Sequence, residues 1–323
     1  MKKLIIAVVI IIILVGVGFF FFIRNSKPAP VDSGPVTTVP TTTPQVPVNK
    51  DQESIGKSVE GRDITAYHFG SGDKELVFVG GIHGGYEWNT TLVAHELIDY
   101  LKANPAVVPT NLKVTVIPVL NPDGLFKIVG TTDKFTAADV PKGTDATVPG
   151  RFNANNVDLN RNFECDWKAQ GTWQNKTVSG GTAAFSEPES LAMKNYIESN
   201  DPAAVVVWYS SAGGVFASSC HNGVLPETNT LTQTFAKAAG YPAHQTFNFY
   251  EITGDMVNWL AKNNIPAISV LLTNHTDPEW SKNKAGIEAL FKLYGAGDAM
   301  TKPGDAMMKE DDGDAMKAKE VTQ

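Results

Sequence analysis

The chain has 323 residues, 42% of them hydrophobic and 19% charged, enough for one large globular domain or two small ones with a buried core. That composition excludes a disordered chain, a collagen-like repeat and a disulfide-dense miniprotein. With 27 Lys and Arg against 34 Asp and Glu, a net charge of -7 and no basic patch, nucleic acid is not an expected partner. Two cysteines, Cys165 and Cys220, allow one intrachain disulfide at most.

The first element is residues 4–23, LIIAVVIIIILVGVGFFFFI, with no charge inside it. As a helix this run rises about 30 Å, the thickness of a bilayer's hydrocarbon core. A cleaved signal peptide has a shorter apolar core followed by small residues. Here four phenylalanines lead to Ile23, and Arg24 follows directly, so the run predicts an uncleaved transmembrane anchor behind a cytoplasmic head of residues 1–3. Lys2 and Lys3 flank one end and Arg24 and Lys27 the other, which makes the charge bias weak. The bulk of the chain follows a single short-headed span, so the expectation is a single-pass membrane protein with its domain on the extracytoplasmic side. Residues 24–53 contain VTTVPTTTPQVPV, whose X-Pro steps oppose helix and predict an extended stalk.

From residue 54 to residue 294 the periodicities alternate. Leu76–Val79, Leu112–Leu120, Val205–Tyr209 and Ala267–Leu272 are short and β-branched-rich and read as buried strands. Between them Thr90–Leu101 sets Val93, Leu97 and Leu101 on one face. Ser186–Ile197 opens with SEPE, a capping box of Ser186 and Glu189. Asp255–Lys262 and Lys282–Leu293 are two further helices, the last stopped by Gly295. Strands separated by helices predict an α/β domain whose chemistry sits at strand ends. Residues 295–323 carry GDAM three times, in units too short to bury anything, and read as a disordered acidic tail.

Three motifs follow predicted strands. GGIHGGYEWNT, Gly80 to Thr90, offers His83 and Glu87, an imidazole and a carboxylate able to share a Zn²⁺. NPDG, Asn121 to Gly124, has the residues of an ordinary turn. RFNANNVDLNRNF, Arg151 to Phe163, brings two guanidinium groups close in sequence, Arg151 and Arg161, and guanidinium suits planar capture of a carboxylate or an oxyanion. Each motif alone is also compatible with a polar surface loop.

In order, IGKSVEGRDI (55–64), HGGYEWNT, NPDG, NANNVDLNRNF, FSEPES and FYEITGDMVNW (249–259) resemble the zinc metallocarboxypeptidases of the carboxypeptidase A type, in their bacterial form. The resemblance covers residues 54–294 and implies a central mixed eight-stranded sheet sandwiched by helices. It implies that His83 and Glu87 ligate zinc, here with three residues between them rather than the usual two. Asn160 and Arg161 match the pair holding the substrate's terminal carboxylate, and Arg151 matches the arginine that polarises the scissile carbonyl. Tyr250 matches the tyrosine that closes over the substrate. Val257 matches a position shaping the side-chain pocket and implies an apolar C-terminal residue.

The same chemistry needs a third ligand and a general base. The resemblance places a His directly after Trp208, where Tyr209 stands, and a Glu at Leu271. A phenol ligates only after losing a proton of pKa about 10, and leucine carries none. The resemblance therefore implies zinc held weakly or not at all and impaired hydrolysis, unless His221 or His275 supplies a nitrogen and Glu251 or Asp255 a carboxylate. The expected partners are peptide C-termini or cell-wall peptides, cleaved by an enzyme or held by a non-catalytic binding module. In this fold the segments carrying Cys165 and Cys220 border one cleft, which implies a disulfide between them; the alternative is two buried free thiols.

Overall fold

The runs rich in β-branched residues lie side by side in an eight-stranded mixed sheet with the order β1-β2-β4-β3-β7-β10-β8-β9. These strands are β1 Gln52–Lys57, β2 Asp63–Gly70, β3 Lys74–Val79, β4 Leu112–Ile117, β7 Ala204–Ser210, β8 Gly214–Ala217, β9 Ala243–His244 and β10 Ala267–Leu272. A separate hairpin joins β5 Gln170–Trp173 to β6 Lys176–Ser179. This computed structural model describes residues 51–296. The anchor expected at 4–23, the tail after residue 296 and all but the last residues of the stalk lie outside the described residues. Among the described residues no helix is long and apolar enough to cross a membrane.

Strand alternation builds two cores. Leu76, Phe78, Val206, Trp208, Ile268 and Val270 point to one face. There they meet α1 Trp88–Ala103, α5 Pro226–Ala239 and α7 Trp280–Gly295, through Leu97, Phe235 and Leu290 among others. Val77, Val79, Val205, Val207, Tyr209 and Leu271 point to the other face. They pack on α4 Pro188–Asn200 and α6 Met256–Lys262 through Met193, Ile197, Trp259 and Leu260. Successive side chains of a strand face opposite ways, so a strand buried on both sides must be apolar throughout. Each such side chain contributes about 1.5–3 kcal/mol of burial. Two shorter helices, α2 Pro122–Val129 and α3 Thr144–Thr147, complete the set.

Local chemistry moved three boundaries from their sequence expectations. The strand read as Leu112–Leu120 ends at Ile117, because Pro118 has no N–H for the ladder. NPDG is a helix start rather than a turn: Asn121 accepts from Gly124 N–H and caps α2. The capping box at Ser186 does not form. Helix α4 starts at Pro188, a favoured first position, while Ser186 Oγ donates to Glu187 and Glu189 accepts from Asn153 and Val59.

Strands β4, β3, β7 and β10 run parallel, so their C-terminal ends share one edge. From β3 the chain moves outward to β4, and from β7 it moves the opposite way to β10. The β3/β7 boundary is therefore a topological switch point, where open α/β sheets leave a crevice for ligands.

Candidate active site

His83 lies just past the end of β3 and Tyr209 near the end of β7, one on each side of that crevice. The turn that carries His83 and Glu87 is a tight Gly84–Glu87 helical turn. Gly84 has φ +45°, and a Cβ there would lie 2.6 Å from the Gly150 carbonyl oxygen. Glycine is required at that point, and it accommodates the third residue between His83 and Glu87.

The turn delivers His83 Nδ1 to 3.0 Å from Glu87 Oε1, and His83 Nε2 to 3.3 Å from Asp158 Oδ1. These are ion-pair distances without hydrogen-bond alignment, so both ring nitrogens and Glu87 Oε2 are buried with no hydrogen bond. Arg151 donates from Nε and Nη2 to Asp158 Oδ2, at 3.0 and 2.8 Å, and its Nη1 lies 3.7 Å from Glu87 Oε1. Burial opposes the ionisation of Asp158. The charge of Arg151 and the contact with His83 outweigh it and hold the carboxyl well below the usual carboxylate range.

A cavity of about 440 Å³ opens here, with His83, Glu87, Arg151, Asn160, Tyr209, Leu271 and His275 on its wall. A second cavity of about 560 Å³, lined by Arg62, His95 and Lys134 among others, holds none of the site residues identified in the sequence. Tyr209 packs its ring 5.7 Å from that of His83 and donates its hydroxyl to Asn160 Oδ1 at 3.2 Å. Burial, reinforced by the charges of Asp255 and Glu87, raises its phenol well above the ordinary value. Leu271 pairs with Tyr209 in the parallel register of β10 and β7.

Other residues identified in the sequence divide between the wall and its surroundings. Tyr250 is 38% exposed and lines the cavity mouth beside Phe247 and Phe249. Arg161 is only 1% exposed and lies behind the wall; its terminal nitrogens donate to the carbonyls of Asn160 and Thr172. The two guanidinium groups are thus not paired on one surface. Val257, Glu251 and Asp255 are on the wall, and Glu251 pairs with Lys168. His275 is also on the wall, and its Nδ1 is buried without a hydrogen bond. His221 lies off it, with Nε2 2.9 Å from Asp166 Oδ1. Cys165 and Cys220 form a disulfide.

Sequence reading did not single out Asp158, Tyr86 or Trp173. Asp158 orders both His83 and Arg151, while Tyr86 and Trp173 place their rings 5.7 and 4.5 Å from the Arg151 guanidinium. The Asp within VDLN was the available signal. Asp255, which the sequence places at a helix start and offers as a substitute carboxylate, takes the first of these positions. It caps α6 by accepting from Asn258 N–H, and burial pushes its carboxyl up to about 6 against the opposing pull of Asn258 and Arg161.

His83 and Glu87 suit a zinc ion. Their donor atoms stand at about the separation of two ligands with bonds of 2.0–2.2 Å, and Asp158 supplies the outer carboxylate that orients a ligating imidazole. The set stops there. Among the described residues no third His, Cys, Asp or Glu donor joins them within 4.8 Å. The single group of three that does converge is Cys165, Cys220 and His221, and its sulfurs are spent in the disulfide. Within that distance the described residues offer two of the three protein ligands of a catalytic zinc site.

Comparison with known proteins agrees with this architecture. Over 249 residues, 69% of this chain, it is 26% identical to γ-D-glutamyl-L-diamino acid endopeptidase 1 of Lysinibacillus sphaericus, covering 61% of that protein. It is 28% identical over 242 residues to a metallocarboxypeptidase A-like protein of Trichophyton verrucosum, 66% of this chain and 54% of that one. The chain thus spans little more than half the length of these relatives. The crystal structure of murein-tripeptide amidase MpaA from Escherichia coli O157 superposes with a TM-score of 0.51 at 21% identity, covering 75% of this chain and 91% of that one. The zinc carboxypeptidase family model, peptidase M14, matches residues 45–294. That span takes in the whole sheet and every residue of the cavity, and the chain belongs to the zinc carboxypeptidase family.

Proposed function

We propose that this chain is a membrane-tethered, extracytoplasmic member of its family that binds the C-terminal residue of cell-wall peptides and hydrolyses them weakly or not at all. The observation that carries the reading is the donor count: His83 and Glu87 converge, and among the described residues no third His, Cys, Asp or Glu brings a ligand atom within 4.8 Å of both. Tyr209 and Leu271 occupy the positions at which the family resemblance implies the third ligand and the base. Their pairing across neighbouring strands supports that alignment. A phenol held protonated is a poor ligand, and leucine takes no proton from water. Losing either function usually costs orders of magnitude in rate.

The binding side favours a peptide end. Asn160 and Arg151 stand on one wall and supply N–H donors for a carboxylate. Beyond Asn160 the cavity is mixed: Val257 and Ala217 are apolar, while Asp255, Asn258, Ser219 and Ser269 are polar. Asp255 makes an amine-bearing side chain a better occupant than the purely apolar one implied by Val257 alone. The relative named for cleavage before an L-diamino acid and the neighbour named for murein tripeptide support the same ligand class. The apolar run at 4–23 and the disulfide support a location outside the cytoplasm.

The test uses the full-length chain in detergent. Zinc content is measured by atomic absorption, binding by calorimetry and residue release by amino-acid analysis, with peptides ending in lysine as acid or amide. Acid-dependent binding without stoichiometric zinc or release is expected; one zinc per chain with steady turnover overturns the reading. One observation favours a second reading, an active peptidase: His275 Nδ1 is buried, unpartnered and on the same wall. That reading requires zinc affinity in the wild type that His275→Ala abolishes.

A further inference from the structure

We propose that Tyr209 is a positioning residue: its hydroxyl fixes the Asn160 carboxamide with the NH₂ group turned into the cavity, so that a peptide carboxylate is gripped without help from a metal. The inference rests on the carboxylate-binding reading above and assigns Tyr209 a role of its own within it.

Asn160 is 6% exposed and lines the cavity. Its Oδ1 accepts from two donors, the Tyr209 hydroxyl at 3.2 Å and Met256 N–H at 3.1 Å. A carbonyl oxygen has two lone pairs, and both are used. Rotating the amide by half a turn would set its NH₂ against the Met256 N–H, which can only donate, and lose that bond, while the Tyr209 hydroxyl would have to turn from donor to acceptor; the Met256 bond selects the observed orientation and the bond from Tyr209 holds it. The half of the amide left facing the cavity is the donor half, which suits an anion.

The backbone is held as well. Asn160 N–H donates to Asp158 Oδ1, and its carbonyl accepts from Arg161 Nη1. Arg161 therefore contributes indirectly, by anchoring the residue that faces the ligand.

Two features keep the Tyr209 hydroxyl available as a donor. A phenol of ordinary pKa, about 10, carries its proton at neutral pH. Its register partner on β10 is Leu271, which offers no side-chain acceptor. A carboxylate in that place would compete with Asn160 for the phenolic proton. The tyrosine and the leucine thus form one device: the first donates and the second leaves the donation undisturbed.

The test is a double-mutant cycle on the full-length chain, with calorimetric binding of acetyl-Ala-Lys as acid and as amide. The wild type is expected to prefer the acid. Tyr209→Phe is expected to lower acid affinity about 5-fold, the scale of one hydrogen bond, with amide affinity unchanged. In an Asn160→Ala background the same change should have no further effect, because the hydroxyl then has nothing to position. Unchanged acid affinity in Tyr209→Phe, or an additive loss in the Asn160→Ala background, overturns the proposal. A wild type that binds acid and amide equally overturns the underlying carboxylate reading as well, and that result appears before any variant is made. Tyr209→Phe leaves Asn160 Oδ1 with its Met256 partner, so folding is expected to survive, and thermal unfolding checks it. Independently of any variant, the unaltered protein should show by NMR a slowly exchanging Tyr209 hydroxyl proton close to the Asn160 amide; its absence refutes the contact.

Discussion

The two strand ends that flank the cavity are built on different chemistry. Beyond β3, His83 stands between Glu87 and Asp158, and Arg151 bridges both carboxylates. That side is charged and buried, with the Arg151 guanidinium set between two carboxylates. At the ends of β7 and β10, Tyr209 and Leu271 are neutral. A catalytic zinc ion takes three protein ligands, and His83 and Glu87 on the first side offer two. The proposed carboxylate capture needs N–H donors, and Asn160, whose side-chain oxygen accepts from Tyr209, is on the cavity wall. On the function proposed here, one fold edge keeps recognition without the parts for hydrolysis, because binding and bond cleavage draw on different side chains.

The comparison is broken most directly by making the neutral side charged. Tyr209→His combined with Leu271→Glu is expected to create stoichiometric zinc binding and to raise release of C-terminal residues by at least about 100-fold over wild type, the lower scale of a general base. Metal analysis and amino-acid release check it, and no gain in either would show that these are not the ligand and base positions.

The charged side is tested by stability. Asp158→Asn leaves the buried Arg151 guanidinium without the carboxylate whose Oδ2 accepts from its Nε and Nη2. Removing one member of such a pair costs about 3–5 kcal/mol, to be read from denaturant unfolding. A loss below about 1 kcal/mol would mean that the buried charges do not hold this side together.

The smallest effect sharpens the ligand. Asp255 titrates near 6 in the folded protein, raised by burial. Its anionic form is thus lost as pH falls through 6, whereas a lysine side chain stays cationic across this range. Affinity for a lysine-ended peptide should rise about 10-fold from pH 5 to pH 7, and affinity for a leucine-ended peptide should not. Asp255→Asn, which preserves the helix cap, should flatten the lysine profile. An unchanged profile in that variant would remove Asp255 from the side-chain pocket.

Much of the fold was legible because it rests on local pattern. The four central strands could be read from their β-branched runs, and α6 begins after Asp255 as its sequence suggested. Errors arose where a neighbour outcompeted a local preference. Ser186 and Glu189 have the spacing of a capping box, yet Asn162, Asn153 and Val59 engage them first. At Arg161 the structure adds partners that the sequence does not show: its terminal nitrogens donate to the carbonyls of Asn160 and Thr172. Asp158 was hidden likewise: its value lies in partners that the chain brings to it from residues 83 and 151.

What the sequence determined by itself is composition-like and local: alternating apolar runs, glycines at a turn no other residue fits, and the absence of an imidazole after Trp208 or a carboxylate at Leu271. These are facts about side-chain identity, and folding cannot alter them. Only the tertiary structure decided which donors meet. Whether Tyr209 faces Asn160, whether Asp158 reaches His83 and whether two arginines share a surface depend on distances of a few ångströms between residues far apart in the chain. Hydrogen bonds and metal coordination act over just those distances.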